Sequence, residues 1–183
     1  TARELQPGSA RTYVALGDIY AKAAQSDQAV LNYRKALDLD PANIRVRLAL
    51  GEILSRARRP KEALAEADAV LKADPKNRFA LDLRGRALRD LRDFDGAGKA
   101  VDQLLGEDAS DLKAAYLKVT IAEAKRDFAT AAALLEEILA LDPSYGEPRV
   151  RLGGHTARTA ERQRALLLYE RAAGLEAFEA REK

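Results

Sequence analysis

The sequence predicts an all-α solenoid of stacked antiparallel helix pairs, and three observations predict it. Five units of 34 residues tile residues 10–179 without an insertion or deletion. Inside the units apolar residues recur four apart, which gathers them on one face of a helix. Proline closes three of the units at one fixed offset, as Pro41, Pro75 and Pro143. It removes a backbone donor and disfavours helical geometry in the residue before it, so a helix ends there. A period of this length marks an array in which each unit buries its apolar face only against its neighbours.

Unit 10–43 shows the pattern most fully. Leu16 and Tyr20 mark one face of its first helix, and Ala29 and Tyr33 one face of its second. Gly17 and Ala29 are small, as the closest approach of two packed helices requires; a larger side chain forces them apart. Asn43 is the expected N-cap of the next helix. Unit 44–77 repeats the pattern with Leu50, Gly51, Leu54, Ala63, Ala67, Val70 and Pro75. Its Pro60 falls in the first turn of the second helix, where a missing donor costs little.

Unit 78–111 carries Leu81, Gly85, Leu88, Ala97, Val101 and Leu104, with Ala109 in the place of proline. Gly96 and Gly98 each weaken its second helix by about 1 kcal/mol relative to Ala, so a flexible point is expected there. Unit 112–145 keeps Ala122, Ala131, Leu135, Ile138 and Pro143, but has Lys118 and Val119 where the first two units have Leu and Gly. Asp93 and Asp127 precede Phe94 and Phe128 as expected helix caps. Unit 146–179 has Leu152, Gly153, Ala165, Tyr169 and Ala172, with Ala177 replacing proline; Gly153 and Gly154 make its first helix the least regular. Ala2 and Pro7 fall at the offsets of a unit's end, so 1–9 reads as the tail of a preceding unit and 180–183 as a C-terminal tail. Leu166, Leu167, Leu168, Leu175 and Phe178 crowd the last helix with no polar cap after it. Such an end calls for more chain, self-association or a partner.

Composition narrows the function classes. The chain is 47 % hydrophobic and 33 % charged, and its 31 Lys and Arg against 29 Asp and Glu leave a net charge of +2. No partner class follows from that balance. The absence of cysteine excludes disulfides, thiol catalysis and thiolate metal sites. No apolar run approaches the roughly 18 residues of a membrane span, and the opening TARELQPGS is not a signal peptide. A soluble segment is expected, with cytoplasm and periplasm both open. His155 is the only histidine and reads as a helix-surface residue without the partners a metal site or nucleophile needs. Glycines sit at helix-packing offsets and form no phosphate loop. No catalytic, cofactor-binding or metal-binding residue is expected.

Tyr13, Leu16, Gly17, Tyr20, Ala29, Tyr33, Ala36 and Pro41 stand at positions 4, 7, 8, 11, 20, 24, 27 and 32 of the 34-residue unit. This spacing resembles the tetratricopeptide repeat, and the resemblance covers almost the whole chain. It implies a right-handed superhelix whose first helices line a concave surface that holds an extended peptide or a helix. Positions 2, 5, 6, 9, 12 and 13 would then face the groove, which makes Phe79, Asp82, Arg86, Arg89, Lys113, Tyr116, Arg45, Glu52 and Arg151 the candidate partner-binding residues. Arginine and aromatic side chains are the types enriched at binding hot spots. The patch from Phe79 through Arg86 and Arg89 to Tyr116 is the expected anchor. The competing reading is a solvated face half neutralised by its own Asp and Glu. One subclass of the family grips a C-terminal carboxylate with Lys, Arg and Asn, and none of the three possible registers of this chain carries that set. Nor does the groove show the uniform basic stripe or repeated polar pair of an RNA reader.

The resemblance therefore implies a non-catalytic scaffold with a protein or peptide partner in its groove. Similar arrays serve bacterial envelope and polysaccharide-export machineries. The alternatives are self-assembly through terminal faces, with Tyr13 and Ile19 at one end and Leu168 and Phe178 at the other, or an array that positions a catalytic or membrane domain.

Overall fold

A computed structural model describes residues 8–160 except 145, 147, 149, 150 and 153. Residues 1–7 of the expected tail 1–9, Gly153, the second helix of the last unit with its apolar cluster from Leu166 to Phe178, and the expected tail 180–183 lie outside the described residues. Eight helices have defined bounds: α1 Ala10–Lys22, α2 Ser26–Leu39, α3 Ile44–Arg56, α4 Pro60–Ala73, α5 Arg78–Asp90, α6 Phe94–Glu107, α7 Leu112–Lys125 and α8 Phe128–Leu141. Residues 154–160 are helical as well. Each of the four units from 10 to 145 contributes a pair, and sequential helices pack on one another from α1 to α8. The first helices also touch across units, α3 on α5 and α5 on α7. The result is an all-α solenoid.

Local chemistry starts and stops each helix. Ser9, Asn43, Asn77 and Asp111 accept hydrogen bonds from the first-turn amides of α1, α3, α5 and α7, which satisfies donors with no partner inside the helix. Asp93 and Asp127 do the same for α6 and α8, and Pro60 opens α4. α6 runs unbroken through Gly96 and Gly98, with the Gly96 amide donating to Asp93 at 2.9 Å. Between the helices of a pair the turn is identical four times. Ala24, Arg58, Arg92 and Arg126 take left-handed φ angles of 56° to 67°. The amide that follows each of them donates back to Tyr20, Leu54, Leu88 or Ala122 at 2.9 Å. That closes the exposed carbonyls of the first helix. None of the four is glycine, so the turn carries no residue-type signal.

The core is a ribbon of small and branched residues along the stack. Ala29, Leu50, Leu54, Ala63, Ala67, Ala97, Val101, Ala131 and Leu135 are fully enclosed. One cluster reaches from Tyr33 of α2 to Leu83 and Ala87 of α5, so buried surface is continuous across three units. Gly17 faces the Tyr33 ring, Gly51 faces Leu83 and Gly85 faces Leu117. Two of these three close approaches therefore join neighbouring units rather than the two helices of a pair.

The same contacts correct two expectations. Position 6 was expected to face the groove, yet Leu83 and Leu117 at that position are buried against the glycines of the preceding unit. The side chain points along the stack because the first helices lie shoulder to shoulder. His155 was expected on the helix surface and is 7 % exposed. It stands 34 residues after Ile121, in a column with Ile53 and Ala87, and all three of those are buried in clusters that include residues of the preceding unit. Ile19 heads that column and is 60 % exposed.

Candidate binding groove

The groove is built from the exposed face of α3, α5 and α7. Position 2 of each unit falls in the first turn of a first helix, so Arg11, Arg45, Phe79 and Lys113 form one row along a single edge. One and two turns further in lie Leu48, Glu52, Asp82 and Arg86. Six of the nine candidate residues come together here. Arg45, Glu52, Phe79, Asp82, Arg86 and Lys113 line a concavity of about 480 Å³, with Ile44, Leu48 and Leu83 as its apolar surface. Phe79, Asp82 and Lys113 also line a smaller one of about 220 Å³ between α5 and α7. Ile44, Leu48 and Leu83 were not among the nine candidates, although Leu48 at position 5 and Leu83 at position 6 stood at offsets expected to face the groove. Ile44 was discoverable as an apolar residue in the first turn of a helix; Leu83 reaches the site only at the edge of its packing contact.

Arg86 is the electrostatic centre of the site. Its Nη2 lies 2.7 Å from Glu52 on α3, and its Nε lies 3.0 Å from Asp82 one turn away on α5. Arg56 adds a second donor to Glu52 at 3.2 Å. Burial pushes the Glu52 carboxyl up, but the hydrogen bond and charge of Arg86, then of Arg56, outweigh it and hold the group below the usual carboxylate range. Burial likewise works against the Arg86 guanidinium, and the two carboxylates more than offset it. Arg86 is thus enclosed by protein acids and bridges two units. It is a brace rather than an open cation.

The other three candidates stand apart from this concavity. Arg89 donates to Thr120 on α7 at 2.9 Å and to Asp90 at 2.8 Å. Tyr116 lies beneath the Arg151 guanidinium, 5.3 Å from ring to Cζ, and Arg151 pairs with Glu123. The same Glu123 meets His155 Nε2 at 2.9 Å, which places the histidine in an inter-unit polar cluster. At the far end of the row, the Tyr33 hydroxyl donates to Asp18 at 2.7 Å. Burial, then that hydrogen bond, pushes the phenol well above its usual range. A separate depression of about 710 Å³ between α8 and residues 154–160 contains none of the nine candidates.

Among the described residues no group of three or more His, Asp or Glu side chains converges to hold a metal. No described helix is long and apolar enough to cross a membrane. The arrangement offers shape, one exposed aromatic ring and oriented charge, which are the means of holding a polypeptide.

Two family models described as tetratricopeptide repeat match the chain, over residues 25–86 and 83–146. No curated protein matches it. Among solved structures, MamA 41-end from Desulfovibrio magneticus RS-1 superposes with a TM-score of 0.71 at 17 % identity, over 91 % of this chain and 94 % of that one. YrrB, described as a TPR protein with an unusual peptide-binding site, gives 0.70 at 21 % identity over 86 % and 78 % of the two chains. The first TPR of Spaghetti (RPAP3), bound to the HSP90 peptide SRMEEVD, gives 0.59 at 20 % identity over 67 % and 97 %. At these identities the likeness is one of fold.

Proposed function

The chain belongs to the tetratricopeptide-repeat family, and from that premise we propose that it is a non-catalytic scaffold that holds a partner peptide across α3, α5 and α7. The observation that carries this reading is the concavity between α3 and α5, with the exposed Phe79 ring at its edge. An exposed aromatic ring beside a concavity offers contact area of the type enriched at binding hot spots. The acids Glu52 and Asp82 are held by Arg86 before a partner arrives, so binding reorganises little of the groove. YrrB and Spaghetti are peptide binders by their descriptions and support the same mode. This chain lacks the residues of the terminal-carboxylate clamp, so its peptide is gripped along its length.

The test is affinity capture from source-cell extract with the wild-type chain and Phe79→Ser side by side. Phe79 is exposed, so the fold survives the change. A partner retained by the first and reduced at least about tenfold by the second is expected, the usual size of an aromatic hot spot. Equal retention would remove the groove from the function.

A second reading, self-association, rests on Leu16 and Ile19, which are exposed on α1. Ile19 occupies the column that is buried elsewhere in the stack, so a second copy has an apolar surface to cover. Light scattering at about 100 µM is then expected to show a dimer that Ile19→Glu converts to monomer, since a charge at an apolar contact is not tolerated. A wild-type monomer at that concentration rules the reading out.

A further inference from the structure

The groove carries both signs of charge, and the two signs are not equally available. Its acids, Glu52 and Asp82, are taken up by Arg86 at 2.7 and 3.0 Å. Its most exposed charges are cations. Arg45 and Lys113 keep 77 % and 73 % of their side-chain surface in water, and they flank Phe79 in the position-2 row. Each touches one carboxylate loosely: Arg45 lies 3.2 Å from Asp18, and Lys113 lies 3.9 Å from Asp82. Both carboxylates have a second donor, the Tyr33 hydroxyl for Asp18 and Arg86 for Asp82. Either cation can therefore turn to a ligand without stranding an acid, which is the costly outcome in a half-buried site.

This asymmetry selects the ligand. A basic segment would meet Arg45 and Lys113 as like charges and find Glu52 and Asp82 already engaged. An acidic segment meets the two open cations and disturbs nothing beneath them. Spacing adds a length. Packed helices lie about 8–10 Å apart, so Arg45 on α3 and Lys113 on α7 are separated by roughly 16–20 Å. An extended chain advances about 3.3 Å per residue, so about five or six residues cover that distance. At their midpoint the chain passes over Leu48, Leu83 and Phe79.

Resting on the groove reading above, we propose that the partner segment is an extended acidic peptide with an apolar side chain midway between two carboxylates about five residues apart. The apolar residue seats in the concavity between α3 and α5, and the carboxylates meet Arg45 and Lys113. Affinity comes mainly from the seated side chain and selectivity from the two charges.

The probe is a displayed library of random 12-residue peptides with no free C-terminus, selected on the wild-type chain, Phe79→Ser and the double variant R45E/K113E. The enriched peptides are then synthesised with blocked ends and their affinities measured. The wild type is expected to enrich an apolar residue flanked by Asp or Glu. R45E/K113E is expected to bind those peptides at least about tenfold more weakly, as like-charge contacts replace opposite ones. It should recover when their acids are exchanged for Lys, a rescue that an unfolded variant cannot show. Enriched peptides that are basic or neutral, or that bind R45E/K113E unchanged, overturn the acidic ligand. If Phe79→Ser still abolishes binding of those peptides, the groove reading stands without it. No enrichment, or binding that none of the substitutions alters, overturns both.

Discussion

Gly17→Val is expected to destabilise the protein by about 3 kcal/mol, the upper end of what overpacking a well-filled core costs. A Cβ at Gly17 would stand 2.5 Å from Tyr33 Cε1 and 2.6 Å from Cδ1. The ring cannot move aside, because it is 3 % exposed and its hydroxyl is tied to Asp18 at 2.7 Å. α1 and α2 must separate instead. In a thermal melt followed by circular dichroism, the midpoint falls by about 6–12 °C at roughly 2–4 °C per kcal/mol for a chain of this size. Gly98→Ala should do the opposite. Nothing lies within 4 Å of its added carbon, so the gain is the helix propensity alone, about 1 kcal/mol. If both variants shift the midpoint in the same direction, close approach is not what these glycines are for.

Arg86→Met is expected to cost about 2 kcal/mol at pH 7. It keeps the unbranched apolar stem but removes the guanidinium, which leaves Glu52 to Arg56 alone and Asp82 to the distant Lys113. Hydrogen bonds to charged groups contribute about 1.5–3 kcal/mol each, and partial solvent access at this site reduces that figure. The pH dependence has a definite sign. The folded pKa of Glu52 is lowered against its own burial by Arg86 and Arg56. A carboxyl lowered in this way contributes stability above its unfolded pKa and loses it as pH falls through the folded one. The gap between wild type and Arg86→Met is therefore full at neutral pH and narrows from about pH 5 downward. Urea unfolding of both proteins at pH 7 and pH 4 measures it. A gap that does not change with pH would mean that Arg86 contributes by packing and not by charge.

Much of the architecture was legible in the chain. The 34-residue period gave the helix order, Pro60 and Asn43 marked helix starts, and Asp93 and Asp127 capped the helices they precede. These signals are local, carried by residues within a turn or two of what they determine. The left-handed residue between paired helices was not legible, because Ala24, Arg58, Arg92 and Arg126 have no type in common that favours that conformation. The burial of His155 was legible only by reading down its column. Beside Ile53, Ala87 and Ile121 it stands in a packing position, whereas alone it reads as a polar surface residue.

The candidate site divides along the same line. By itself the sequence determined which residues share the face of the first helices, because a fixed period on regular helices brings equivalent positions into one row. That is why Arg45, Phe79 and Lys113 lie along one edge and why six of the nine candidates line one concavity. Only the tertiary structure decided which charges on that face are available. Arg86 and Arg45 are both arginines on first helices, yet one is held by Glu52 and Asp82 and the other stands in water. The difference depends on distances between side chains 27 and 34 residues apart, Asp18 to Arg45 and Glu52 to Arg86. The offset and rotation of one helix pair on the next set those distances, through buried contacts such as Gly51 with Leu83.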